Sequence, residues 1–133
     1  MIELDENVTR EMNKYLDGTT IEEIIYKNRK FFHFPAIFTT SQMDQDIEVL
    51  DLGNRAYNCL RRSGTNTLRD LITRNKTTEN ESSKCQLKRH NRNLGEKTAD
   101  EILIKLFYYS FLSQPEDEKK AYMKKVLESN SLK

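Results

Sequence analysis

Leu50-Asp51-Leu52-Gly53-Asn54-Arg55-Ala56-Tyr57-Asn58-Cys59-Leu60-Arg61-Arg62-Ser63-Gly64 and Arg92-Asn93-Leu94-Gly95-Glu96-Lys97-Thr98-Ala99-Asp100-Glu101-Ile102 are the two stretches that decide how this chain folds. In the first, Leu52, Ala56, Cys59 and Leu60 form the inner stripe of a helix predicted over about Leu52 to Ser63, stopped by Ser63-Gly64. Arg55 and Asn58 are three apart, so a guanidinium fork and an amide project from one helical face. Such a pair suits a minor groove, where narrow A·T-rich stretches attract arginine and the readout is mainly A·T against G·C. In the second stretch a Gly-containing turn feeds directly into a helix. Its first backbone N–H groups are left unpaired at the positive end of the dipole, with Lys97 and the Thr98 hydroxyl adjacent. That is a phosphate seat.

Working outward, the helix begun after Gly95 is predicted over Glu96 to Phe111, with Ala99, Ile102, Leu103, Leu106, Tyr109 and Ser110 on one face. Its cluster from Phe107 to Phe111 is expected in the core, with Tyr108 left outside as a contact. Between the two motifs, Thr67-Leu68-Arg69-Asp70 is a capping-box-like start for a helix burying Leu68, Leu71 and Ile72. Asn75 to Lys84 is a loop by composition, and a short helix is expected around Lys84 to Arg89. Downstream, Ser113-Gln114-Pro115-Glu116 separates the long helix from a last one with the stripe Tyr122, Met123, Val126 and Leu127. Upstream, Val8, Met12, Tyr15 and Leu16 mark an amphipathic helix that Asn7 or Asp5 caps. Asp17-Gly18-Thr19 breaks it. A capping box, Thr20-Ile21-Glu22-Glu23, starts a second helix with the stripe Ile21, Ile24, Ile25, Asn28 and Phe32, which completes an αα-hairpin. Phe34 to Thr40 reads as extended and Ser41 to Asp46 as a linker, with the main boundary near Gln45. No convincing strand and no internal repeat is present, so the expected fold class is all-α.

The 133 residues make one ordinary domain, or a small domain with a sizeable extension. Hydrophobic content of 36% against 32% charged, with a mean hydropathy of −0.81, predicts a small core. No run approaches the roughly 20 apolar residues of a membrane span, and Met1 to Arg10 lack a signal pattern. A soluble, cytoplasmic protein without membrane association is expected. Cys59 and Cys85 do not form a Cys-x-x-Cys pair, which indicates neither a disulfide framework nor a cysteine zinc site. The net charge of +1 hides an asymmetry: residues 1–50 carry five Lys or Arg against ten Asp or Glu, and residues 51–95 carry ten against four. Arg55, Arg61, Arg62, Arg69, Arg74, Arg89 and Arg92 lie in that basic block, which suits phosphate contact midway along the sequence. Taken alone, the charge pattern favours a solvated surface with some ion pairs.

The segment from about Ile47 to Leu106 resembles the C-terminal domain of the bacterial RNA polymerase α subunit. The resemblance rests on Leu-x-x-Arg-x-x-Asn-Cys-Leu (Leu52, Arg55, Asn58, Cys59, Leu60), Gly64, the Asp70-Leu71 pair and Asn-Leu-Gly-x-Lys (Asn93, Leu94, Gly95, Lys97). It implies a compact bundle of short helices with a helix-hairpin-helix element, which binds upstream promoter DNA in the minor groove and is contacted by transcription regulators. It further implies that Arg55 is the minor-groove arginine and that Asn58 and the Cys59 backbone share its DNA surface. Gly95, Lys97 and Thr98 become the phosphate-binding turn, Glu101 an acidic residue that orients the basic side chains, and Asp51 an acidic position that faces a σ factor. The sequence departs from the family in the longer stretch between Arg74 and Arg92, where Cys85 and Leu87 are the remaining apolar anchors. It also has Thr98 in place of Ser, and Glu96 in place of a commonly basic neighbour. Residues 1–46 cannot supply the large assembly domain of an α subunit, and Met1 with a helical hairpin behind it favours a short stand-alone relative over a cut fragment. The expected organisation is an acidic helical extension and linker over 1–46, the α C-terminal-like domain over 47–112, and a C-terminal helix over 113–133.

Each candidate has a plain structural alternative. Arg55 and Asn58 would ordinarily be an exposed helix face, and the coincident hairpin motif tips the balance toward DNA. Gly95 and Lys97 would otherwise be a simple helix start. Cys59 fits the core better than a reactive role. His33 is a packing residue, and His90 has no partner at metal spacing, so no metal ligand and no cofactor are expected. The stripe from Tyr122 to Leu127 is expected to pack on its own domain, with a docking surface as the lesser alternative. No nucleophile triad and no Gly-x-x-x-x-Gly-Lys loop is legible, so neither an enzyme nor a small-molecule substrate is expected. The expected partners are double-stranded DNA, through its A·T-rich minor groove, and RNA polymerase, a σ factor or a transcription regulator. The alternative is a protein-interaction module of the same fold that binds σ factor, an activator or polymerase without binding DNA. A helix-hairpin-helix accessory to DNA repair or recombination is a third possibility, which would not need the Arg55 helix.

Overall fold

Asp5 opens the first helix. Its carboxylate accepts the amides of Asn7 and Val8 and so caps α1 (Glu6–Asn13). The computed structural model describes residues 5–28, 32, 34, 37–74 and 95–130, with the backbone alone at 28, 74 and 96. Gly18 reverses the backbone with a φ of +77°, and α2 (Ile21–Asn28) returns along α1. Asn13 closes the hairpin: its Oδ1 accepts the Ile21 amide at 2.7 Å and its Nδ2 donates to Glu22 at 3.0 Å. Thr20 Oγ1 accepts the Glu23 amide, the first half of the expected capping box.

The segment expected to be a free linker is structured. Thr39 and Gln42 form a reciprocal capping box around the one-turn helix α3 (Thr40–Met43). Asp46 then pairs with Thr67 in an isolated antiparallel bridge, with Ile47 donating to the Asn66 carbonyl and Leu68 to that of Gln45. The polar residues that suggested a tether are engaged in caps and in contacts with the following helices. Asp44 pairs with Arg69 at 2.9 Å, Asp46 pairs with Arg61 at 2.8 Å, and the Tyr109 hydroxyl donates to Gln45.

A 3-10 turn (Ile47–Leu50) ends at Asp51, which takes a left-handed φ of 56°. That reversal and the extended backbone at Gly53 delay α4 (Asn54–Arg62) by two residues relative to the predicted start at Leu52. Helix α5 (Leu68–Arg74) begins with the box expected from sequence: Asp70 donates its amide to Thr67 Oγ1, and Asp70 Oδ2 accepts the amides of Thr67 and Asn66. After residue 94 come α6 (Glu96–Leu112) and α7 (Glu116–Asn130), the latter opened by the Pro115 carbonyl. Among the described residues every regular element is helical, as the all-α expectation required. No described helix is long and apolar enough to cross a membrane.

Two cores meet on α6. One face contributes Ala99, Ile102 and Leu106 to a core with Ile47, Leu50, Ala56, Leu60, Leu68 and Leu71. Another face contributes Ile104, Phe107, Tyr108 and Phe111 to a core built with α1, α2 and α7. Phe34 packs against both. Tyr108 corrects the sequence expectation: it is buried rather than left outside, and its hydroxyl accepts the Asp5 amide at 2.9 Å. The stripe Tyr122, Met123 and Val126 packs into this second core, where the Tyr122 hydroxyl donates to the buried Ser110 Oγ at 2.9 Å. The expected loop from Asn75 to Lys84 and helix from Lys84 to Arg89 lie outside the described residues. So do Cys85, Leu87, His90, Arg92, Asn93 and Leu94, together with Phe31 and His33.

Candidate nucleic-acid interface

Helices α4 and α6 begin alike. Gly53 and Gly95 are their N-caps in extended conformation, and neither has a side chain to satisfy the free amides of the first turn. Among the described residues, a Cβ added at Gly95 would meet nothing within 4 Å. Gly53 is different. Its own amide donates to Glu101 Oε2 at 2.7 Å, and a Cβ there would stand 3.3 Å from that oxygen. The absence of a side chain lets the carboxylate approach the backbone closely.

This contact joins the two motifs. Gly53 lies two residues before Arg55, and Glu101 lies one turn after Lys97. Behind them, Ala56 and Leu60 of α4 share a core with Ala99, Ile102 and Leu106 of α6. Arg55, Asn58, Gly95 and Lys97 are exposed, and Thr98 and Glu101 are half-buried. Cys59 is half-buried against the same core. Glu101 was expected to orient basic side chains, whereas its carboxylate is on a backbone amide. Asp51 is exposed two residues ahead of Gly53, in a left-handed conformation that Asp tolerates better than most residues.

The arginines of the basic block whose side chains are described divide into two kinds. Arg61 is tied to the Tyr57 hydroxyl, to Asn66 Oδ1 at 2.9 Å and to Asp46 at 2.8 Å, with its guanidinium carbon 5.1 Å from the Tyr57 ring centre. The Tyr57 hydroxyl, and after it the Asp46 charge, hold the Arg61 pKa above its ordinary value. Arg69 is held by Asp44. Among the described residues Arg55 and Arg62 form no ion pair and are exposed. Sequence reasoning missed Gly53, Asp44 and Asp46, because their partners lie 48, 25 and 15 positions away and leave no local periodicity.

The family described as the C-terminal domain of the bacterial RNA polymerase alpha chain matches residues 38–107, just over half of the sequence. The match starts at Phe38 and so takes in α3 and the bridge at Asp46. The protein is similar to the DNA-directed RNA polymerase subunit alpha of Symbiobacterium thermophilum, with 41% identity over 76 residues, 56% of this chain and 21% of that protein. The Desulforamulus reducens subunit is 40% identical over 76 residues, covering 57% and 21% of the two sequences. That of Desulforudis audaxviator is 45% identical over 64 residues, covering 48% and 18%. The chain thus spans about a fifth of the length of these relatives. No solved structure matches it at comparable significance. With the match over residues 38–107 and a fold in which both motifs open helices on a shared core, the chain belongs to the family of C-terminal domains of the bacterial RNA polymerase alpha subunit.

Proposed function

We propose that this is a cytoplasmic DNA-binding protein of transcription that uses the minor groove of A·T-rich duplex as its target. Arg55 and Asn58 enter the groove, the Cys59 backbone lies on the same surface, and the Gly95 amide with Lys97 and Thr98 holds a flanking phosphate. Glu101 positions the α4 mouth against α6, and Asp51 on the rim contacts a σ factor. Residues 47–112 carry the DNA contacts, while the extension over 1–46 and the helix over 113–133 contact RNA polymerase or a regulator. The observation that carries this proposal is the Gly53 to Glu101 hydrogen bond, which ties the start of the Arg55 helix to the Lys97 helix.

The test is a titration of A·T-rich and G·C-rich duplexes at several salt concentrations. Affinity should prefer A·T and fall steeply with salt, and Arg55→Ala should abolish most of it. Equal affinity of the unaltered protein and Arg55→Ala defeats the proposal.

A second reading, the protein-interaction module without DNA binding, draws support from the Asp44–Arg69 and Asp46–Arg61 pairs, which occupy two guanidinium groups of the basic block. It predicts no duplex binding at any salt, with capture of RNA polymerase or σ factor retained.

A further inference from the structure

We infer that Arg62 is a second phosphate-contacting arginine of this surface, on the assumption that the DNA reading above holds. At 3.6 residues per turn, position 62 returns to within about 20° of position 55 around the axis of α4, and lies about 10 Å further along it. Arg55, Asn58 and Arg62 therefore share one outward flank, opposite the buried Ala56 and Leu60. Arg61, its immediate neighbour, is turned by about 100° and is spent on Tyr57, Asn66 and Asp46. Arg62 is exposed and forms no ion pair among the described residues. A long cationic side chain at the end of a helix whose other end presents Arg55 reaches a different phosphate from the one beside Arg55. It supplies charge without reading a base.

The experiment measures binding of the 133-residue chain to one A·T-rich duplex as a function of salt. One neutralised phosphate contributes a slope of about 0.9 in log affinity against log salt. Arg62→Ala should therefore lower the slope magnitude by about 0.9 and leave the preference for A·T over G·C unchanged. Arg62→Lys should keep the slope, because a phosphate accepts either cation. Arg69→Ala, which removes a charge already held by Asp44, should leave it nearly unaltered. An unchanged slope in Arg62→Ala overturns the inference while the loss on Arg55→Ala still upholds DNA binding. An equal fall in Arg69→Ala also overturns it, since net charge rather than contact would then be the cause. Absence of duplex binding by the unaltered protein overturns both the function and this inference.

Discussion

Glu101 Oε2 stands 2.7 Å from the Gly53 amide nitrogen, so the start of α4 is fastened to the second turn of α6 by a side chain from one and a backbone from the other. Removing the acceptor by Glu101→Ala should cost about 1 kcal/mol of stability, below the usual range for a charge-assisted bond because the site is partly open to water. Duplex affinity should fall by more than that loss accounts for. Glu101→Gln keeps an acceptor oxygen and should be milder on both counts. Urea denaturation beside duplex titration separates the two effects.

Gly95→Asp should move stability and binding in opposite directions. The new carboxylate has room and can accept first-turn amides of α6, raising stability by a few tenths of a kcal/mol. It also occupies the amides that the proposal assigns to phosphate and places a negative charge there. Duplex affinity should fall at least tenfold, as read by titration, and an affinity equal to that of the unaltered protein would remove Gly95 from the interface.

Burial raises the phenol pKa of both Tyr108 and Tyr122 above the ordinary value of 10.0, opposed by a hydrogen bond at each. A raised phenol stays neutral in the folded protein while the unfolded polypeptide begins to ionise. Stability is therefore fully present below pH 10 and is lost as pH rises beyond it. Urea midpoints between pH 8 and 11 should show this decline. Tyr122→Phe should start about 1 kcal/mol lower, having lost the bond to Ser110, and should decline less steeply.

Deleting residues 1–36 should not yield an independent DNA-binding domain of undiminished stability. It removes α1, α2 and the Phe32 and Phe34 rings that pack on Phe107. The truncated protein should bind a hydrophobic dye and unfold several kcal/mol more easily, comparable to the roughly 3–5 kcal/mol expected for Phe107→Ala in the untruncated chain. Differential calorimetry with dye fluorescence reads both. Point variants, rather than this truncation, are the cleaner probe of the proposed function.

What could be read from sequence was chemistry that acts over one or two turns. Asp5 before α1, Thr67 with Asp70 before α5, and Pro115 before α7 each sit beside the groups they cap, so residue type and spacing sufficed. The two motifs were legible for the same reason, as helix starts carrying Arg55 and Lys97. What escaped were relationships between distant positions. Asp44, Gln45 and Asp46 have the composition of a tether and find their partners only after folding. Tyr108 escaped because α6 is apolar on two sides, and a single stripe through Ala99 and Leu106 leaves the opposite side looking exposed.

The long helix α6 works as a common axle. Turning it enough to relieve strain in one core would drive side chains of the other out of register, since close-packed interiors yield by discrete repacking rather than by gradual slip. The hairpin core and the glycine-capped mouth are therefore built on one shared helix. The same helix that carries Phe107 and Phe111 into the hairpin core carries Glu101 to the Gly53 amide.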